Sequence, residues 1–426
     1  MRPPCVNCCG ILILTNKHIY LSNILSMKLS YIMSKNLHRE YRHLGFSKNW
    51  NLTSKSQFLL GQCDALVLAI NNTPIMPHHY QELMNVSLIK GAQATTAIEG
   101  NTLTDDDIKK MIEGEKMPPS KEYQEIEVRN ILNAFNELLQ EVIHKNESSL
   151  ITADLLRRFQ KMVGKNLGEH FAAIPGQFRN NDVVVGTYRC PDYRDIPVLV
   201  DSLCNWLRQE FGFEYQSQSF SDVVVQAIVT HIYIEWIHPF GDGNGRTGRL
   251  VEFYILLRGG NPDIASHILS NHYNQTRNNY YRQIEKATVR NDLSEFIEYA
   301  LEGFRDGLQQ TLETIQKSQF ANSWQKLIYE KFNDVHMNKK DVFKRQRTLA
   351  LELPMDMDKL VSLTEIPELS IKLAKLYSNV SERTILRDLE RLLGLSIVIK
   401  ENGKYRTNVG LLKGMIAKRK VLGSKP

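Results

Sequence analysis

A chain of 426 residues, 42% hydrophobic and 23% charged, has the composition of an ordinary globular protein with two or three domains. Its net charge of +6 is mild for the length, so contact with nucleic acid or acidic partners is permitted but not required. No unbroken apolar run of roughly eighteen residues occurs, which predicts no membrane span.

Residues 1–35 read as a leader, either disordered or a misassigned extension with Met27 or Met33 as the natural start. Its short apolar piece, Gly10 to Leu14, lacks the small-residue cleavage site of a signal sequence. Cys5, Cys8 and Cys9 crowd this leader, whereas Cys63, Cys190 and Cys204 are scattered without the spacing of a zinc site. A reducing, cytoplasmic setting is therefore expected. An irregular polar and aromatic arm follows to about Lys55.

Helical spacing begins with Phe58, Leu59, Gln62, Ala65, Leu66 and Ala69, and Asn72-Thr73-Pro74 ends that element. A second helix is predicted over 79–98, with Leu83, Val86, Ile89, Ala92 and Ala97 near its apolar face. It ends on Thr95-Thr96-Ala97-Ile98-Glu99-Gly100. A short helix over 105–114, a long amphipathic one over 122–144 and a third over 152–167, capped by Thr152, come next. These divide the chain into an N-terminal helical region, 36–115, and a core, 116–310. The pattern then breaks at Pro175-Gly176-Gln177-Phe178-Arg179, which leads into Val183-Val184-Val185-Gly186. Short, β-branched and turn-flanked, this reads as a hairpin between helices. Helices over 196–211 and 223–236 follow, the second with Asp222 at its start and His231 as a core or supporting histidine.

The second of these helices delivers His238-Pro239-Phe240-Gly241-Asp242-Gly243-Asn244-Gly245-Arg246-Thr247-Gly248-Arg249. The alternating glycines let the backbone turn tightly and point N–H groups into one hollow at the start of the next helix. Such a site attracts anions. Arg246 and Arg249 add positive charge, Asp242 is a ligand for a hard divalent cation, and His238 is placed as a base. Asn274 to Tyr281 open a later helix that runs to about Lys286, and adjacent tyrosines cannot share one face, so at most one of Tyr280 and Tyr281 belongs to the core.

The loop matches HxFx(D/E)GNGRxxR at every specified position, and roughly residues 58–305 resemble the Fic family of nucleotidyl transferases. The resemblance implies a mainly α Fic fold with a small β-hairpin flap. It also implies ATP as co-substrate, Mg²⁺ on Asp242, and a protein target, the chain itself included, that offers a Ser, Thr or Tyr hydroxyl to His238. The nucleotide would be bounded by Val183, Val184, Val185 and Gly186 of the flap, by Asp242, Gly243, Asn244, Gly245, Arg246, Thr247, Gly248 and Arg249 of the loop, and by Tyr280 and Tyr281. Thr95 to Gly100 resembles the inhibitory motif (S/T)xxxE(G/N), which implies that Glu99 reaches Arg249 where the γ-phosphate would sit. Removal of AMP from a modified protein, and transfer from another nucleotide, stay open as alternatives, as does a homodimer. Cys190-Pro191-Asp192-Tyr193 departs from the proline-rich run often found after the flap, and Thr288 stands where some relatives place asparagine.

Beyond a core closing at about Gln316, residues 318–351 read as a charged connector helix. Two short helices, 369–377 and 381–393, then precede a hairpin turning on Asn402-Gly403, a winged-helix-like pattern. Arg383, Arg387 and Arg391 form a basic stripe that suits phosphates, with Glu382, Asp388 and Glu390 read as neutralising it. A docking module for a protein partner and a DNA-binding regulator that uses the core as a nucleotide sensor both remain open.

Overall fold

The computed structural model describes residues 41–212, 218–333, 340–356 and 359–412. The readings placed on residues 1–40, with Cys5, Cys8, Cys9, Met27 and Met33, lie outside them. The chain divides into two units, Met1–Leu312 and Glu313–Pro426.

The first unit is built around two helices, α7 (Phe220–Ile237) and α8 (Asn244–Arg258). Ser219 caps α7 by accepting the Asp222 N–H while Asp222 reaches back to Ser219, so Asp222 is the third-position partner and not the cap itself. Three consecutive valines begin the helix, yet nearly every side chain along it is buried, and burial on all sides outweighs the β-preference of Val223–Val225. By length and composition α7 is apolar enough to cross a bilayer, but it is the core helix of this unit. Gly248 of α8 lets the two helices close, since a methyl group there would lie 2.8 Å from His231 Cδ2.

Around this pair pack α1 (Ser54–Asn71), α2 (Pro77–Ala97), α4 (Glu122–Leu139), α5 (Ala153–Val163) and α6 (Ile196–Phe211). α3 (Asp105–Ile112) starts on a Thr104–Asp107 capping box, and Thr152 caps α5 as expected. Two apolar faces are rotated from their sequence readings. In α1 the buried line is Leu59, Leu60, Cys63, Val67 and Ile70, leaving Phe58 67% exposed. In α2 the predicted Ile89 and Ala92 are buried, but so are Met84, Leu88, Gly91 and Thr95, and Val86 is left outside. Small residues deceive a hydrophobicity count here: Gly91 is buried because His267 lies against it.

Strands β1 (Val184–Val185) and β2 (Tyr188–Arg189) form the expected hairpin, paired Val184 with Arg189 and Val185 with Tyr188. Gly186 holds the positive φ that its tight turn needs. The helix read from Asn274 is two, α9 (Ile268–Gln275) and α10 (Arg277–Arg290), broken at Thr276. α11 runs unbroken from Ser294 to Asn333, through the boundary placed at 316–318. No glycine or proline follows Gly307 in it, and Leu308, Leu312, Ile315, Phe320, Trp324, Ile328 and Phe332 keep helical spacing throughout.

In the second unit, α12 (Lys340–Glu352), α13 (Ile371–Tyr377) and α14 (Glu382–Gly394) surround a core of Trp324, Ile328, Leu349, Ile385, Leu389 and Leu392. Strands β3 (Val398–Glu401) and β4 (Lys404–Thr407) turn on Asn402 and Gly403, both at positive φ, and Val361 bridges to Tyr405 at the edge. Asp388 is not a surface acid. It is 1% exposed and accepts from Arg345, Gln346 and the Tyr377 hydroxyl, joining three helices.

Candidate active site

His238 ends α7 in the left-handed region (φ 49°, ψ 59°), an uncommon conformation for a non-glycine residue that turns the chain sharply into the loop. Burial lowers its pKa, partly opposed by the Glu235 carboxylate and by a hydrogen bond to the Glu235 main-chain carbonyl. The ring is thereby held neutral with one nitrogen engaged, leaving the other to accept a proton. Behind it, Glu235 lies 3.7 Å from His231 Nε2, and His231 Nδ1 lies 3.4 Å from Glu252. Burial opposes a charge on His231, but Glu252 and Glu235 together raise its pKa, and burial raises that of Glu235 while His231, His238 and Arg249 together lower it by more. His231 is thus the supporting histidine that its position suggested, and its Nε2 also meets the Tyr280 hydroxyl at 3.0 Å.

The loop is braced from within. Asn244 accepts from the Phe240 N–H at 2.9 Å and donates to the Phe240 carbonyl at 2.8 Å. Its side chain therefore shapes the loop. Gly243, at φ 79°, starts α8, so the hollow sits at a helix N-terminus. Arg246 is buried between Glu127 and Asp242, a brace for the loop. Thr247 and Gly248 face the helix core, so they support the loop from behind.

Glu99 enters this hollow. Arg249, 1% exposed, donates through Nη2 to Glu99 Oε1 at 2.6 Å and to the Thr95 carbonyl at 2.9 Å. A methyl group on Gly245 would lie 2.2 Å from the same Glu99 oxygen, so the carboxylate rests directly over the start of α8. Arg249 Nη1 and Nε, both buried, bond nothing among the described residues.

Of the two tyrosines, Tyr280 is buried on His231, and the half-exposed Tyr281 donates to the Ile98 carbonyl beside Glu99. Only Tyr281 borders the hollow at its surface. Val184, Val185 and Gly186 are exposed at the flap and Val183 partly so. Thr288 accepts from Trp236 Nε1 at 2.7 Å, a core contact two residues before His238.

One organising residue was absent from the sequence reading of the site. Arg179 donates through Nε to the His238 carbonyl at 2.8 Å, through Nη1 to that of Asn181 at 2.8 Å, and through Nη2 to that of Pro191. Its N–H bonds the Pro239 carbonyl as well. Nothing in the Gly-Gln-Phe-Arg run itself names these distant carbonyls.

Residues 150–256 match the model of the Fic/DOC family. The chain carries a Fic domain. Protein adenylyltransferase fic-1 of Caenorhabditis briggsae is 28% identical over 227 residues, 53% of this chain and 41% of that protein. Protein adenylyltransferase Fic of Nematostella vectensis is 29% identical over 206 residues, 48% of this chain and 44% of that protein. The chain thus spans less than half the length of these curated relatives. A solved Fic family protein from Desulfovibrio desulfuricans G20 superposes with a TM-score of 0.52 at 19% identity, covering 85% of this chain and 98% of that one. The mainly helical Fic fold expected from the loop motif is therefore the fold of this chain, and His238 lies within the Fic domain while Glu99 precedes it.

Among the described residues no cluster of three metal-binding side chains occurs. A lone carboxylate suits Mg²⁺, which keeps waters and takes substrate phosphates as its remaining ligands. Asp242 Oδ1 accepts from Gly243 N and Arg246, and Oδ2 from Ala172 N, which leaves a lone pair on Oδ2.

Proposed function

We propose that this chain transfers AMP from ATP to a hydroxyl of a protein, with Glu99 holding the reaction back. The observation that carries this reading is the seat of Glu99. A carboxylate of the chain's own lies over a helix N-terminus and takes a buried arginine whose Nη1 and Nε bond nothing among the described residues. That is the placement a phosphate would seek. With Glu99 withdrawn, Arg249 clamps the β/γ end of ATP and the Gly243–Gly245 backbone faces the phosphates. Asp242 would hold Mg²⁺, which supplies neutralising charge to the phosphates when bound. His238 takes the proton of a Ser, Thr or Tyr hydroxyl, whose oxygen bonds to the α-phosphorus as the bond to the β-phosphate oxygen breaks and pyrophosphate leaves. The exposed edge of β1 is suited to align the target as an added strand.

The test uses the Glu99→Gly protein with ATP labelled at the α- or the γ-phosphorus, in the presence of a cell lysate. Label from the α-position alone is expected on protein. Label from the γ-position would replace this reading with phosphoryl transfer, and no label from either would end the transferase reading.

A second reading concerns the C-terminal unit, where we propose a DNA-contacting surface on α14. Residues 313–426 hold twenty-two Lys and Arg against thirteen Asp and Glu, a net +9, whereas the preceding residues hold 31 against 34, a net −3. With Asp388 buried, Arg383, Arg387 and Arg391 stand exposed on one helix beside only two surface acids, Glu382 and Glu390. Duplex DNA binding by fluorescence anisotropy is expected to weaken steeply with salt, and replacing the three arginines by alanine is expected to flatten the log–log slope by about 3. An unchanged slope would exclude the stripe.

A further inference from the structure

We infer that Glu127 is a positioning residue through which the segment following Glu99 sets the carboxylate of Asp242. This rests on the transferase reading for its purpose, though not for its geometry. Glu127 lies on α4, outside the loop and outside the inhibitory turn, and its two oxygens are divided between them. Oε2 accepts from Asn101 Nδ2 at 3.0 Å, and Oε1 pairs with Arg246 Nη1.

Neither partner is free to turn elsewhere. Asn101 Nδ2 also donates to the Gln124 carbonyl at 3.0 Å, its Oδ1 accepts from Leu103 N at 3.0 Å, and its own N–H bonds the Thr96 carbonyl at 3.2 Å. Asn101 is therefore fastened to the turn that carries Glu99. Arg246 is 5% exposed, lies over the Phe171 ring at 5.6 Å, and holds Asp242 Oδ1 through Nη2 at 2.9 Å. The charge of this buried guanidinium is balanced by carboxylates, whose loss would be costly. Glu127 and Asp242 do this together, so moving one carboxylate moves the arginine and then the other.

The connected series is Thr96 carbonyl, Asn101, Glu127, Arg246, Asp242. A displacement of the turn that frees Arg249 from Glu99 also pulls on Asn101 and, through Glu127, redirects the Asp242 oxygen offered to a cation. The clamp on the nucleotide and the orientation of the metal carboxylate are thereby linked, through a residue that touches neither nucleotide nor metal.

The experiment compares Glu99→Gly protein with the same protein carrying Glu127→Gln or Asn101→Ala. A glutamine retains the size of Glu127 but has one acceptor oxygen, so it serves Arg246 or Asn101 and not both. The first measurement is binding of Mn²⁺ in the presence of ADP, read by electron paramagnetic resonance without turnover. Outer-shell substitutions commonly cost 10–100-fold in metal affinity, and Glu127→Gln is expected to weaken Mn²⁺ about tenfold. Asn101→Ala, further along the series, is expected to act in the same direction and by less. The second measurement is AMP transfer against Mg²⁺ concentration, where the half-saturating concentration should rise by the same factor while the rate at saturation stays within about twofold. Unchanged Mn²⁺ binding in both variants overturns the inference, as does a fall in saturated rate at constant metal affinity. If the Glu99→Gly parent transfers nothing yet Mn²⁺ binding still responds to Glu127, the linkage stands and the transferase reading falls.

Discussion

Replacing Glu99 by glycine is expected to raise AMP transfer on the order of a hundredfold at saturating ATP and Mg²⁺, measured as the rate of mass gain on the protein or its target. The magnitude follows from what the carboxylate prevents. With Glu99 on Arg249 Nη2, the guanidinium cannot present its paired N–H groups to a phosphate, so on the proposed reading the α-phosphorus of a triphosphate would be kept out of line. A misplacement of about 1 Å is worth about 10² in rate. Glycine also removes the carboxylate that lies over Gly245, opening the space above the start of α8. The buried Arg249 then lacks its counter-charge, so the same variant should melt at a lower temperature without nucleotide and recover with ATP. A loss of activity instead of a gain would reassign Glu99 from inhibitor to the residue that aligns a water, making removal of AMP the reaction.

His238→Ala in the Glu99→Gly background is expected to lower transfer by about 10²–10⁴-fold, the usual contribution of a positioned base, with ATP binding little altered. The pH dependence provides a second check. Burial is the main cause of the lowered His238 pKa, so the neutral, proton-accepting form persists below the pH at which an ordinary histidine would be half charged. The rate should rise with pH on the acid side with a midpoint below the ordinary imidazole value, then level off. An acid limb unchanged in His238→Ala would assign proton transfer to another group.

The candidate site of this chain was legible because one continuous stretch holds it: His238, Asp242 and Arg249 lie within twelve residues, and the glycines between them dictate the turn. Glu99 was legible for a different reason, since it ends a helix in a recognisable six-residue context. What could not be read are roles decided by distant partners. Asn244 reads as a phosphate ligand, and the sequence gives no sign that the Phe240 backbone engages both ends of its amide. Arg179 and Glu127 carry nothing in their immediate sequence that names a carbonyl or an arginine far along the chain. Asp388 resembled a surface acid because its helical neighbours are charged, and only the approach of Arg345 and Tyr377 places it in a core. Helix existence followed from periodicity. The facing of α1 and α2 did not, because a close approach at Gly91 and Thr95 outweighs the hydrophobicity of Val86.

The bonds of Arg179 give the site two sides of unequal readiness. One side chain fastens the flap base and the His238 turn together, while the Tyr188 hydroxyl adds a bond to the Trp236 carbonyl at 2.6 Å. On the proposed reading, this side is already fastened to receive a polypeptide. On the other, the same reading has Glu99 withdraw before a triphosphate engages Arg249. For the proposed reaction, the kinetic gate therefore belongs to the small co-substrate and not to the macromolecular one. A target in excess would wait on nucleotide admission, and its concentration would govern which hydroxyl is modified more than how fast modification begins.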